Sequence, residues 1–373
     1  MEFKFSLFLA PSVLGFFALN AYLGWRVCVL WVRGRAARWA LGLTLLFWVL
    51  ASAHISRALA RDIGWPLIAR TAELWLGLAA FLGCYFLCAE IAWLCARRTR
   101  WKTPRVRGRL FAVAALAACL TALWGYYHAQ ELHVAHYALT VEKDGGALRH
   151  VRVAVLADMH LGKGRPPLKL QQAIALTNAQ QPDVVVLTGD IAEFSAENFE
   201  CCEYDAVFRQ LRAPMGVYAV RGNHDFFDTD HTRLRRMLRR ANILLVEDTV
   251  VSVASSFYIA GRKDRGQPRA PLGDILKLTD PKKPLLLIDH RPELIEQSQA
   301  AGVDVQFSGH THGGQFFPVT LFSRLIYPIH SGVLKKGPFA LVVSSGLWGG
   351  APYRVGTQSE IVVVDIDFVP KGS

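Results

Sequence analysis

Four of five short polar patches in the last two-thirds of the chain directly follow apolar, β-branched runs, and that placement constrains the fold more than any other feature. The patches are Asp158-Met159-His160, Gly189-Asp190, Gly222-Asn223-His224-Asp225, the single His290, and Gly309-His310-Thr311-His312-Gly313-Gly314-Gln315. β-Branched residues favour strands, so each of these four patches is expected where a strand ends and a loop begins. Open α/β sheets gather their ligands at that end. Asp, Asn and His together suit a borderline-to-hard divalent ion rather than a thiolate site. The pattern therefore predicts a binuclear hydrolytic metal centre.

The regions around the patches read as short strands alternating with polar helices. Residues 151–157, 183–187, 217–220, 285–288, 303–307, 341–344 and 361–366 have strand character, and residues 167–179, 199–211, 231–241 and 292–301 have helical spacing. Residues 243–254 and 256–261 resemble a hairpin-like pair. Such a mix predicts a layered sandwich of sheets flanked by helices. Residues 130–149 are expected to be a polar linker, with the globular domain at 150–373. Arg233, Arg235, Arg236, Arg239 and Arg240 share a helix with Leu234, Met237 and Leu238, which reads as a solvated basic face.

The N-terminal third differs in kind. Residues 1–129 hold 15 Lys and Arg against 4 Asp and Glu, whereas residues 130–373 hold 27 against 26. Nearly all of the formal charge of +12 thus belongs to residues 1–129, and no nucleic-acid partner is expected. Apolar runs at residues 5–25, 39–55, 71–92 and 110–127 are candidates for membrane spans, which need roughly 20 residues and at least about 17. A transmembrane region of about four helices over residues 1–129 follows. The Arg-rich loops at 33–38 and 97–109 predict cytoplasmic sides, placing the region after Ala129 outside the cytoplasm. Parity rests on the short second run. Glu90 within the third run is expected to be capped by Arg97, and none of the seven cysteines stands in a Cys-x-x-Cys pair.

In combination the five patches resemble the signature of calcineurin-like metallophosphoesterases over roughly residues 150–368. That resemblance implies a four-layer α-β-β-α sandwich, with Asp158, His160 and His312 on one metal, Asn223, His290 and His310 on the other, and Asp190 bridging both. It implies two divalent ions, whether Mn, Fe or Zn. His224 would not bind metal; it would stabilise the transition state and protonate the leaving oxygen. Glu193 would orient His224, and Asp225 would assist or hold the loop.

Pro352 and Arg354 match a Pro-x-Arg ending of the membrane-anchored bacterial branch; taken with the loop charges, the expectation is a bacterial inner-membrane protein with an extracytoplasmic catalytic domain. Phe316 and Phe317 open an apolar loop that continues to Tyr327. With Arg354 they are candidate substrate contacts. The expected substrate is a phosphoester or pyrophosphate, lipid-linked or close to membrane lipids. The alternatives are a broad phosphodiesterase or phosphomonoesterase for soluble extracytoplasmic esters, and a non-catalytic metal-binding scaffold.

Overall fold

The computed structural model describes residues 14–27, 39, 42, 66–96, 99, 103–162, 167–193, 203–226, 232–349 and 351–370. The chain divides into two units, residues 1–128 with 350–353, and residues 129–349 with 354–373.

The first unit is helical. Residues 14–27 form a helix, followed by α1 (Pro66–Cys95) and α2 (Pro104–His128). Among the described residues, two helical stretches are long and apolar enough to cross a membrane, Glu73–Cys95 and Pro104–His128. At 1.5 Å per residue each reaches about 35 Å or more, beyond the roughly 30 Å of a hydrocarbon core. The expected span at 39–55 lies outside the described residues apart from Trp39 and Gly42. Phe86 and Phe111 meet edge to face, with ring centroids 5.2 Å apart. Asn20 Oδ1 accepts from Trp75 Nε1 at 2.8 Å. Glu90 pairs with Arg26 and lies 3.7 Å from Arg107, so helix-borne cations offset its burial. Its expected cap, Arg97, lies outside the described residues.

The second unit is built from β1 (Leu132–Val141), β2 (His150–Leu156), α3 (Pro167–Ala179), β3 (Val184–Leu187), α4 (Tyr204–Phe208), β4 (Val217–Ala219), α5 (Thr232–Arg240), β5 (Ile243–Leu245), β6 (Thr249–Val253) and β7 (Phe257–Gly261). It continues with α6 (Leu272–Leu276), β8 (Leu285–Ile288), α7 (Ile295–Ala300), β9 (Val305–Ser308), α8 (Val319–Ile326), β10 (Gly332–Lys336), β11 (Phe339–Val343) and β12 (Ser359–Phe368). Two six-stranded sheets result, in the orders β1-β12-β2-β3-β4-β5 and β10-β11-β9-β8-β7-β6. Strands β2 to β5 run parallel in one sheet, and β7, β8, β9 and β11 run parallel in the other.

Alternation along each strand assigns its faces. Val151, Val153 and Val155 of β2 pack between the sheets with Ile259, Leu286, Ile288 and Phe307. Ala154 and Leu156 face the other way, onto Leu170 and Ile174 of α3 and Leu234 and Leu238 of α5. Ala260, Leu287 and Leu341 of the second sheet meet α6 and α7 through Ile275 and Ile295. The layers are therefore helix, sheet, sheet, helix. Each fully buried Val or Leu stabilises this arrangement by about 1.5–3 kcal/mol.

Three expectations need correction. The stretch 130–149 is not merely a linker, because β1 lies within it and pairs in parallel with β12 along its whole length. The edge position of β1 and its mostly half-buried residues blur the alternation that would have marked it. Residues 243–254 split between sheets: β5 pairs with β4, whereas β6 pairs antiparallel with β7. The apolar loop expected after Phe316 contains helix α8.

Candidate metal centre

Every candidate ligand stands just beyond the carboxyl end of a parallel strand. Asp158 and His160 follow β2, Asp190 follows β3, Asn223 follows β4, His290 follows β8, and His310 and His312 follow β9. Two sheets thus contribute to one place, which explains how patches far apart in sequence converge. The β2 and β3 loops are laced together, with Asp158 N donating to Gly189 O, His160 N to Asp190 O and Leu161 N to Ile191 O. Asp158, His160, Asp190, His310 and His312 all have positive φ, between 45° and 71°. Such conformations are costly for residues with side chains and gather at functional sites. Approach is close enough at Gly309 that a Cβ there would lie 2.6 Å from Asp158 Oδ2.

The ligand-bearing atoms fall into overlapping groups, each spanning no more than 4.8 Å: Asp158, His160 and His312; Asp190, His290 and His310; and His160, Asp190 and His224. His160 joins the first group to the third, and Asp190 belongs to the last two. Its Oδ2 lies 3.4 Å from His290 Nε2 and 3.9 Å from His160 Nε2, while its Oδ1 accepts from His224 N at 2.8 Å. Asn223 Oδ1 is 3.2 Å from His290 Nε2.

Tautomers decide what these atoms can do. His290 Nδ1 donates to Thr188 O at 2.8 Å, and His312 Nδ1 donates to Trp348 O at 3.0 Å. His160 Nδ1 donates to Glu193 Oε2 at 2.5 Å. In the neutral rings, each Nε2 then carries a lone pair pointing into the site. His160 Nε2 faces His312 Nε2 at 3.3 Å, and His290 Nε2 faces carboxylate and amide oxygens. The His160 and His312 Nε2 atoms at this range need a cation, either a shared proton or a metal ion, between them, and the Asp, Asn and His donor set fits a divalent metal.

The electrostatics agree. Burial pushes His310 down to about 3, helped by His290 and Arg291. Burial also holds His312 well below the usual range, helped by His160 and Arg354. Both rings are therefore neutral and available as ligands. Burial would lower His290 too, but Asp190 and Asp158 raise it to about 10, so the site draws positive charge to that position. Burial would raise Asp190, yet His290, His224 and His160 keep it well below the ordinary carboxylate range. Asp158 rises to about 6, chiefly from burial and then from Asp190.

The remaining sequence candidates take definite places. Glu193 Oε2 lies 2.5 Å from His160 Nδ1 and 3.4 Å from His224 Nδ1, so it addresses the candidate ligand more closely than the expected proton donor. Asp225 is buried and accepts from the backbone N–H groups of Gly222, Ala192 and Ile191, which holds two loops together. His224 keeps some solvent exposure, and its ring stands edge-on to His160 at 4.7 Å.

Arg354 differs from its expected role as a substrate contact. It is only 1% exposed, and its guanidinium donates to the carbonyls of His312, Ser345, Gly346 and Trp348. Phe316 is buried as well, while Phe317 is exposed. Sequence reasoning missed the segment Ser344–Trp348, which frames Asp158: Leu347 N donates to Ala157 O and Trp348 N to Asp158 O. Backbone N–H groups of the segment do this work, and no residue type announces them.

A family model described as Calcineurin-like phosphoesterase matches residues 151–314. Over 319 residues the chain is 27% identical to the "Transmembrane protein with metallophosphoesterase domain" of Danio rerio, covering 77% of this chain and 72% of that protein. It is 28% identical to an "Uncharacterized metallophosphoesterase" of Aquifex aeolicus, covering 67% of this chain and 97% of that one. Among solved structures, the protein TT1561 of Thermus thermophilus is similar at 13% identity with a TM-score of 0.35, covering 52% of this chain and 88% of that chain.

Proposed function

We propose, from the premise that the chain carries a calcineurin-like metallophosphoesterase domain and is a metal-dependent phosphoester hydrolase, that it is embedded in a membrane and cleaves a lipid-linked phosphoester or pyrophosphate. The observation that carries the hydrolytic part is the convergence of two ligand groups on Asp190.

Asp158, His160 and His312 would hold one divalent ion, Asn223, His290 and His310 the other, and Asp190 both. When bound there, a pair of such ions supplies Lewis acidity, lowering the pKa of a shared water and offsetting phosphoryl charge. The protein's part is position and proton management. Thr188 O and Trp348 O fix the tautomers of His290 and His312, and Glu193 fixes that of His160. His224 donates the proton to the leaving oxygen, and the Glu193 carboxylate lies 3.4 Å from its Nδ1. Asp225 keeps the loop bearing His224 in register with the Asp190 loop.

Membrane embedding is supported by the two helices of spanning length and by a relative named as a transmembrane protein. About four spans in a bacterial inner membrane, with the catalytic domain extracytoplasmic, is the arrangement the Arg-rich loops favour. A lipid-linked substrate is favoured by the exposed Phe317 and the exposed apolar side chains of α8 that follow the His310–His312 patch. Detergent-purified full-length protein with Mn²⁺, offered phospholipids, polyprenyl pyrophosphates, nucleotide sugars and soluble aryl phosphodiesters, tests the reading. Turnover of a lipid-borne phosphate supports it. Ready cleavage of the soluble esters with every lipid phosphate intact favours the soluble-ester alternative.

A further inference from the structure

Helix α8 inverts the usual order of burial. Its small polar residues Thr320 and Ser323 face inward, while Leu325 is 84% exposed, Ile326 68%, Phe322 63% and Leu321 52%. Positions 321, 322, 325 and 326 share one face of a helix. A helix meant for water shows the opposite pattern, and exposed apolar surface of this kind marks contact with another phase or molecule. The face is also firmly mounted. Gly314 has φ of +77°, and a Cβ there would come within 2.5 Å of Thr320 Cα, so α8 rests directly on the loop bearing His310 and His312. Tyr327, at the end of the helix, meets the His310 ring edge to face at 6.0 Å.

We infer that the apolar face of α8 docks into the surface of the bilayer that holds this chain's own helices, a reading that rests on the membrane embedding proposed above. The occupant is a lipid surface because the chain brings one with it. Helix α2, of spanning length, ends at His128 and β1 begins at Leu132. Those four residue steps reach at most about 14 Å. A helix with one apolar face and a basic residue beside it lies in the plane of an interface, and the exposed Arg324 of α8 suits phosphate headgroups. Through Gly314 and Tyr327, docking would hold the metal loop at headgroup level, where a lipid carries its phosphoester.

Full-length protein with p-benzoylphenylalanine replacing Phe322 or Leu325, in vesicles of phosphatidylethanolamine and phosphatidylglycerol, tests this by photo-crosslinking and mass spectrometry. Leu278, 93% exposed on the same unit, is the control position. Lipid adducts at 322 and 325 are expected at about tenfold or more above those at 278, as an inserted helix face requires. Yields equal to the control, in protein that floats with the vesicles, overturn docking and leave embedding standing. Cross-links to a second copy in place of lipid also overturn it. Because the readout needs no turnover, it separates docking from the assignment of the hydrolase.

Discussion

The Nε2 atoms of His160 and His312 lie 3.3 Å apart, although each ring has already given its Nδ1 proton to another acceptor. Two lone pairs directed at each other are stable only around a cation, either a shared proton or a metal ion. Asp190 faces both sides of the site, its Oδ2 lying 3.9 Å from His160 Nε2 and 3.4 Å from His290 Nε2.

Asp190→Ala is expected to lose metal and activity together, because it removes the carboxylate that faces both His160 and His290. His224→Ala should keep its metal and lose turnover by about 10²–10⁴-fold, the usual contribution of a positioned acid or base. Elemental analysis alongside hydrolysis of an aryl phosphodiester separates the two variants. Unchanged metal content in Asp190→Ala would contradict a bridging role.

Glu193→Gln tests a contact that sequence reasoning assigned to a different histidine. Removing the charge beside His160 should weaken metal affinity by about 10–100-fold, as outer partners of ligating histidines typically do. Titration with Mn²⁺ checks it. A pure loss of kcat with unaltered affinity would instead place Glu193 on His224 alone.

Metal uptake should release protons. Without metal, Asp190 and Asp158 raise His290 to about 10 against the lowering effect of burial, so this ring carries a proton at neutral pH that a cation must displace. The sign follows: apparent affinity tightens as pH rises toward 10 and weakens on acidification. Calorimetry of Mn²⁺ binding at pH 7, in two buffers of different ionisation enthalpy, should show at least about one proton released per chain. Equal heats in both buffers would argue against this.

Arg354→Met should destabilise the catalytic unit by about 3 kcal/mol or more, because it leaves buried carbonyls without their charged donor. The conservative Arg354→Lys cannot reproduce the fork and should recover little. Thermal denaturation of the metal-loaded protein reads this directly. A normal midpoint with a raised KM would return Arg354 to the substrate.

Particular residues show what the sequence made legible. Val151–Val155 and Leu285–Ile288 stood out because buried parallel strands are nearly continuous apolar runs, and the candidate ligands were picked out because most of them follow such runs. β1 was hidden by its histidines and its edge position. α8 was hidden because no side chain caps its start and its polar residues point inward, reversing the pattern by which helices are recognised. Arg354 was expected to touch substrate because its partners are main-chain carbonyls brought together only by the fold.

Electron paramagnetic resonance of the protein loaded with Mn²⁺ examines the shared carboxylate most directly. Ions about 3.5–4 Å apart and joined by one ligand are predicted to give a spin-coupled signal that Asp190→Ala abolishes. A spectrum of isolated Mn²⁺ in the unaltered protein at full loading would contradict the binuclear centre.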